Sequence, residues 1–147
     1  MNKNQNWKAK YESTNAKEGI EIVKKTPKGL MYISSPKEII EEIKKIPKGS
    51  TITTKDLAEK LSNKHNTDYT CGLTTGIFMA IIANYVEEED IKDIPYWRVT
   101  KSKGELYDTY LRETSRQKEH LISDGIDILQ NKKGQFFVLI NDKKHFY

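Results

Sequence analysis

The amino-acid sequence predicts an α+β domain, in which three helices precede a strand pair, a fourth helix and a final hairpin. Three observations lead to this prediction. Isoleucines recur at helical spacing after a proline-initiated cap, an apolar segment from Cys71 to Val86 is long enough for a buried helix, and short β-branched or aromatic runs flank glycine turns in the second half of the chain. The 147 residues suffice for one core, so a single domain is expected.

The first 34 residues are predicted to form a basic N-terminal extension. Residues 1–18 are polar and lack periodicity, which is typical of a tail. Residues 19–33 alternate weakly around Thr26-Pro27-Lys28-Gly29, a turn signal, so two short strands or a hairpin are expected.

The first two helices have clear start signals. Ser35-Pro36-Lys37-Glu38 is a capping box with proline at the first helical position, and Pro47 ends the helix that follows. Thr53 or Thr54 caps a second helix that runs to about Asn63. The segment just before that cap is long enough only for a small strand.

The third helix is predicted to begin at Gly76, capped by Thr74 or Thr75, and to end near Glu88. It is apolar on nearly all sides, which indicates burial. The acidic run at 87–90 is unfavourable at a helix C-terminus, because the carbonyl dipoles there repel anions. The helix is therefore expected to fray at this run.

The second half of the chain is predicted to contain the strands. Residues 94–100 indicate a loop that enters a strand, Ser102-Lys103-Gly104 a turn, and 105–107 the return strand. A fourth helix ends at Ser123, before Gly125. It is expected to be capped by Thr114 or Ser115 and to turn Leu121 and Ile122 inward. Residues 126–129 and 136–140 then form a hairpin.

This order of elements is that of a winged helix-turn-helix, which lays one helix in a DNA groove and a hairpin beside it. The winged-helix domain is predicted to span 35–125, with the C-terminal hairpin at 126–147 packed on it. Many domains of this layout bind proteins, so the layout alone leaves both kinds of partner open.

Charge and composition narrow the function classes. The net charge of +4 permits a nucleic-acid partner, and residues 61–90 are net acidic between two net basic flanks. A single cysteine excludes a disulfide framework, and the three histidines have no metal-ligand spacing, so no metal and no cofactor are expected. The chain lacks an apolar secretory segment or bilayer span, so we expect a cytoplasmic protein without a membrane partner.

Four segments in order resemble the DNA-binding domain of the 6-O-alkylguanine-DNA alkyltransferases. The segment from Ile46 to Thr54 resembles Ile-Pro-x-Gly-x-Val-x-Thr-Tyr, and Ile94-Pro95-Tyr96-Trp97-Arg98-Val99 resembles the active-site signature Ile-Pro-Cys-His-Arg-Val. Residues 102–106 resemble the Ser-x-Gly-x-Leu that follows, and residues 116–125 resemble the family's next helix. The resemblance therefore extends from 46 to 125.

The departures from the family pattern bear on function. The acceptor cysteine is replaced by Tyr96 and the activating histidine by Trp97. A phenol with a pKa of about 10 is a poor substitute for a thiolate, and an indole is not a base, so no alkyl-transfer activity is expected. The family's arginine, which fills the space left by a flipped base, falls near Leu73, and the third helix has no basic residue.

The sequence is therefore most similar to the alkyltransferase-like proteins, which lack the acceptor cysteine and bind alkylated DNA to mark it for repair. This resemblance implies a duplex DNA partner, in which alkylated guanine is sensed, and a repair protein partner. The candidate DNA-binding residues lie at the starts of the second and third helices and on the wing. They are Thr53, Thr54, Lys55, Thr74, Thr75, Gly76, Arg98, Lys101 and Lys103.

Each candidate also has a structural role to which it is suited. Tyr96 and Trp97 are expected to line a lesion pocket and stack on an extruded base, but Trp97 equally suits a core position beneath the wing. Arg98 can reach a phosphate or pair with an acid such as Asp56. The lysines are either phosphate contacts or solvated charges, and the threonines are by default helix caps.

Two other functions remain open. An interaction module is favoured if Phe78, Met79 and Tyr85 form an exposed patch rimmed by the acids at 87–90. A cysteine enzyme would need the Cys71 thiol exposed beside a base such as His65, whereas the ordinary role of a lone cysteine is that of a small buried side chain.

Overall fold

The computed structural model describes residues 6–14, 22–107 and 115–139. Helices and short strands occur together in them, which confirms the α+β class. The helices are α1 (Trp7–Thr14), α2 (Pro36–Ile43), α3 (Thr54–Lys64), α4 (Gly72–Glu89) and α5 (Ser115–Ser123). The strands are β1 (Ile22–Thr26), β2 (Gly29–Ile33), β3 (Ile52–Thr53), β4 (Tyr69–Thr70), β5 (Val99–Thr100), β6 (Leu129–Gln130) and β7 (Phe136–Phe137), and a 3₁₀ turn spans Tyr96–Arg98.

Helix α4 is the centre of the core. It packs against α1, α2 and the 3₁₀ turn, and Met79, Ile82 and Val86 on it are buried. The side chains of Ile39 from α2 and Leu57 from α3 join the same cluster. The apolar composition of α4 therefore reflects neighbours on most of its sides, as expected for a buried helix.

Three small sheets tie distant segments together. Strand β1 pairs antiparallel with β2, which pairs parallel with β4. Strand β3 pairs parallel with β5, with Ile52 opposite Val99, so the start of α3 is fixed beside the segment that follows the 3₁₀ turn. Strands β6 and β7 form the predicted C-terminal hairpin, although it is shorter than expected.

The predicted starts of α2 and α3 are confirmed. The Ser35 hydroxyl accepts a hydrogen bond from the backbone N–H of Glu38, and proline occupies the first turn of α2. Thr53 rather than Thr54 caps α3, through a capping box with Asp56 in which each side chain accepts from the other's backbone.

The predicted start of α4 is wrong. The helix begins at Gly72, and its N-terminal cap is Cys71, so Thr74 and Thr75 lie within its first turns. The reason is tertiary: the Cys71 N–H donates to the Tyr32 carbonyl at 2.8 Å, which fixes the chain against β2 just before the helix starts. Neither threonine is needed as a cap under this constraint.

The predicted fraying of α4 is also wrong. The helix continues to Glu89 and ends at Asp90, which has a left-handed backbone with φ of 52°. Glu87 accepts hydrogen bonds from the Tyr96 hydroxyl at 2.8 Å and the Arg116 guanidinium at 2.9 Å. These long-range partners neutralise the acid that the helix dipole disfavours.

Other predictions needed correction in detail. The N-terminal tail contains α1, and a short strand, β4, precedes α4, where no strand was predicted. The return strand at 105–107 is reduced to one bridge between Glu105 and Phe137. Leu121 is buried as predicted, whereas Ile122 is exposed.

Some predictions fall outside the described residues. These are the cap at Thr114, the end of the final strand at 140 and the segments at 1–5 and 15–21. Among the described helices, none combines the length and apolar character that a membrane crossing requires.

Candidate nucleic-acid interface

The predicted site residues do not form one cluster. Some line an open cleft of about 420 Å³, some are packed in the core, and others lie at the start of α4. The cleft lies between the first residue of α3 and the segment that follows β5. Its lining residues are Thr54, Lys101, Ser102, Lys103, Glu105 and Tyr107.

The cleft is closed on the α3 side by a hydrogen bond. The Tyr107 hydroxyl donates to Thr54 Oγ1 at 2.8 Å, and the Lys101 ammonium lies 5.6 Å from the centre of the Tyr107 ring. Lys55 follows Thr54 in the first turn of α3 and is exposed. Thr54, Lys101 and Lys103 are thus brought together around one cleft.

A tight turn presents the two lysines of the cleft. Gly104 has a φ of +89°, a conformation that glycine adopts without strain, and its N–H donates to the Lys101 carbonyl. The Lys101 N–H donates back to the Glu105 carbonyl at 2.9 Å, which closes the turn. Lys103 lies at the exposed tip of this turn.

Thr53 belongs to the core rather than to the cleft. It is buried, and its hydroxyl oxygen is occupied by the capping box of α3. Thr53 therefore has the structural role considered for it, that of a helix cap.

The start of α4 presents small and apolar groups. Gly76 is exposed, with open space where a Cβ would stand, while Leu73 is 76% and Ile77 51% exposed. Thr75 is buried and donates to the Cys71 carbonyl, and the Thr74 hydroxyl lies 3.2 Å from the Cys71 sulfur. Of the three α4 candidates, Gly76 is the one on the surface.

Tyr96 is a core residue with no exposed surface. Its hydroxyl donates to Glu87 at 2.8 Å, and its ring meets the Trp97 ring edge to face. Burial and the adjacent Glu87 charge raise the pKa of the Tyr96 phenol far above its ordinary value. The side chain is therefore neutral at all physiological pH values.

Trp97 is also a core residue and is 7% exposed. Its ring stacks on the His120 imidazole with 4.0 Å between centres, and its Nε1–H donates to Asp124 at 3.0 Å. The prediction that Tyr96 and Trp97 line an open pocket is not borne out, because both rings are packed between α4 and α5.

Arg98 forms an ion pair that the sequence did not suggest. Its guanidinium donates to both oxygens of Asp124, at 2.7 and 3.2 Å, and to the Ile46 carbonyl at 2.8 Å. Burial raises the pKa of Asp124, but the hydrogen bonds from Arg98 and Trp97 outweigh it, so the pKa lies below its ordinary value. The predicted partners, a phosphate or Asp56, are replaced by Asp124.

Gln117 is a site-supporting residue that sequence reasoning missed. It is 1% exposed, and its amide donates to the carbonyls of Trp97 and Val99 while accepting from the Tyr107 N–H at 2.8 Å. It therefore fixes Tyr107, the aromatic wall of the cleft, to the 3₁₀ turn. A lone glutamine on a helix gives no sequence signal for such a role.

The condition set for an interaction module, an exposed patch of Phe78, Met79 and Tyr85, is not met. Met79 is fully buried, Phe78 packs against the core, and the Tyr85 ring stacks on Tyr11 of α1 at 4.4 Å. The exposed apolar residues of α4 lie at its other end, away from the acids at 87–90.

Cys71 and His65 are engaged in separate contacts. His65 Nε2 lies 2.6 Å from Glu38, and its ring stacks on Tyr32. The Cys71 thiol is partly exposed, in contrast to the buried role considered for it. The described residues include no group of three or more His, Cys, Asp or Glu that could hold a metal ion.

Two solved structures have folds similar to that of this chain. No protein-family model matches the sequence, and no curated protein matches it. A solved structure of the S. pombe alkyltransferase-like protein (ATL) in complex with DNA is similar, with 20% identity and a TM-score of 0.55, over 71% of this chain and 88% of that one. A second, of S. pombe Atl1 with damaged DNA containing O6-carboxymethylguanine, has 20% identity and a TM-score of 0.51, over 70% and 86% of the two chains. The chain thus has the fold that the four sequence segments indicated, that of an alkyltransferase-like protein.

Proposed function

We propose that this protein binds duplex DNA and senses alkylated guanine in it without accepting the alkyl group. The observation that carries the proposal is the cleft that unites Thr54, Lys101 and Lys103 beside the Tyr107 ring. A similar fold in proteins solved with DNA supports it. A repair protein partner, implied by the resemblance, would bind the complex of this protein with alkylated DNA.

The elements fit a winged helix-turn-helix arrangement. In this proposal, α3 and α4 are the helix-turn-helix pair and residues 99–107 are the wing, which contains β5 and the bridge between Glu105 and Phe137. The small and apolar start of α4 can approach a groove closely, because Gly76 has no side chain and open space in front of it. Lys55, Lys101 and Lys103 then bind phosphates through their charges.

The cleft also offers a place for an extruded base. Tyr107 supplies an aromatic surface, and Glu105 and Thr54 supply polar groups for the edge of a purine. Tyr96 and Trp97 are too deeply buried for this role in the fold described here. We therefore propose Tyr107, and not Tyr96, as the residue that contacts the lesion.

Alkyl transfer is excluded from the proposal on chemical grounds. A direct displacement needs an anionic or readily deprotonated nucleophile. Tyr96 stands where the family has cysteine, but it is neutral, buried and already hydrogen-bonded to a carboxylate. The protein would release its DNA unchanged.

The test is fluorescence anisotropy with two labelled duplexes at two salt concentrations. One duplex is plain, and the other carries a single 6-O-methylguanine. Tighter binding to the modified duplex, with affinity that falls as salt rises, is expected. Equal and salt-sensitive binding would overturn lesion sensing while leaving DNA binding in place. Absence of binding at low salt would overturn both.

A protein-interaction module is the second candidate. It is favoured by the exposure of Leu73 and Ile77, which lie one turn apart on α4. If neither duplex binds at low salt, this surface becomes the one to pursue, and loss of a partner on Leu73→Ser would support it.

A further inference from the structure

The N-terminal hairpin lies beside the start of α4. Strand β2 pairs with β4 at Met31 opposite Tyr69 and Tyr32 opposite Thr70. Two backbone bonds extend this pairing, from the Asp68 N–H to the Leu30 carbonyl at 2.9 Å and from the Cys71 N–H to the Tyr32 carbonyl at 2.8 Å. Because Gly72 follows at once, the hairpin is fixed to the end of α4 that faces DNA in the proposed function.

The described part of the hairpin is rich in lysine. Residues 22–34 include Lys24, Lys25 and Lys28 and no acidic residue. Two carboxylates from other segments bond to the hairpin: Asp68 accepts from the Leu30 N–H, and Glu38 accepts from the Tyr32 hydroxyl and also binds His65. Within the described part of the chain, none of the three lysines pairs with a carboxylate, and all three are exposed.

The register separates the two strand lysines onto opposite faces. Lys24 is opposite Met31, which is opposite Tyr69, so Lys24 shares a face with Tyr69. Lys25 is opposite Leu30 and lies on the face of the buried Tyr32 ring.

The electrostatics of Cys71 agree with this placement. Burial raises the pKa of its thiol, but hydrogen bonds from Thr74 and from the backbone of Leu73 and Thr74, together with the Lys24 charge, lower it below the ordinary value. Lys24 therefore acts on the residue that caps α4, and its face continues toward the exposed start of that helix.

We propose that the N-terminal hairpin is a second phosphate-binding arm, in which Lys24 on the α4 side and Lys28 at the turn bind the DNA backbone. This inference rests on the proposed function. A helix that enters a groove is bordered by phosphates, and an element fixed beside its N-terminus meets them. The arm lies outside the segment from 46 to 125 that resembles the alkyltransferases.

The test compares the salt dependence of plain-duplex binding between two double variants. K24Q/K28Q should lower the slope of log affinity against log salt by about 2, one unit for each phosphate contact. The control K44Q/K92Q removes the same charge where Lys44 pairs with Asp93 and Lys92 with Asp90. These two ion pairs lie near the C-terminal end of the 18-residue α4, about 27 Å along the helix from the end beside the hairpin.

The single variants K24Q and K25Q give a finer control, since the two residues are neighbours on opposite faces. K24Q should reduce the slope more than K25Q does. Equal slopes for K24Q/K28Q, K44Q/K92Q and the wild type would overturn the arm while leaving the proposed function intact. A wild type that binds no duplex at low salt would overturn the proposed function and the arm with it.

Discussion

Two regions of the molecule carry the residues that the sequence marks for function, and they have opposite characters. Tyr96, Trp97 and Arg98 lie in the segment that resembles the alkyltransferase active-site signature, yet they are packed and bonded to Glu87 and Asp124. The cleft around Thr54 and Tyr107 is open and carries two lysines. A motif thus locates residues within a fold, whereas burial and hydrogen-bond partners decide what those residues can do.

The burial of the signature region follows from the size and polarity of the side chains at positions 96 and 97. Two aromatic rings at positions 96 and 97 bury far more apolar surface than a cysteine and a histidine would. Their polar atoms then need internal partners, because a buried unpaired donor is costly. Glu87 and Asp124 supply them, and His120 stacks on the indole. The signature region therefore stabilises the fold on which the cleft is built.

The largest expected effect is on stability, in the signature region. Asp124→Ala leaves the Arg98 guanidinium and the Trp97 N–H without their partner in a largely buried site. Loss of one partner of a buried ion pair costs about 3–5 kcal/mol. Urea unfolding should report this loss, and a cost under about 1 kcal/mol, as for an exposed pair, would contradict the structural role.

We expect the free energy of unfolding to depend on pH through the same region. Burial raises the pKa of Glu87, but hydrogen bonds from Tyr96, Arg116 and His120 outweigh it and hold the pKa below the ordinary value of 4.5. The unfolded chain therefore binds the proton more readily, and this contribution to stability is present above pH 4.5 and lost as the pH falls through the folded pKa.

The Glu87→Gln variant isolates that contribution. It should lose less stability than the wild type between neutral pH and acid, as measured by urea midpoints at a series of pH values. Asp124, Glu38 and Glu42 also have lowered pKa values and keep a residual dependence of the same sign. Identical pH profiles for the two proteins would contradict the role assigned to Glu87.

A smaller effect, on DNA affinity rather than stability, is expected at the cleft. K101Q/K103Q should weaken binding to all duplexes alike and lower the salt slope by about 2. The unfolding free energy should stay within about 0.5 kcal/mol of the wild type, because both changes are at the surface. Unchanged affinity with unchanged stability would remove the cleft from the DNA-binding surface.

The smallest expected effect is a gain. Leu73→Arg adds one charge at the exposed start of α4, near the position to which the resemblance assigns an arginine. If this end of α4 meets DNA, the salt slope should rise by about 0.9. Weaker binding, or a slope equal to that of the wild type, would indicate that Leu73 faces another kind of partner.

Local signals predicted the parts of the fold that local chemistry determines. The caps at Ser35 and Thr53 and the turn at Gly104 follow from residues close in sequence, and each was found as expected. The predicted start of α4 was wrong because the actual start depends on the hydrogen bond from the Cys71 N–H to the Tyr32 carbonyl, which joins residues far apart in the sequence. Periodicity does not report such a contact.

Only part of the candidate site was predicted, because several of its contacts also join residues that are distant in the sequence. The lysines at 101 and 103 follow a recognisable turn, and the resemblance placed them on the wing. The partners Asp124, Glu87 and Gln117 are distant in sequence from the residues they bind, so these contacts gave no sequence signal, although a core position was considered for Trp97. The roles of Tyr96 and Arg98 changed accordingly.

If the proposed function is right, the cleft, and not the Tyr96–Trp97 pair, contacts the damaged base. The ratio of Kd values for plain and 6-O-methylguanine duplexes should be measured in Tyr107→Leu and Tyr96→Phe, after circular dichroism has verified that both variants fold. We expect Tyr107→Leu to bring the ratio to about 1 and Tyr96→Phe to leave it as in the wild type. A ratio that falls in Tyr96→Phe and persists in Tyr107→Leu would show that the lesion contact is not in the cleft.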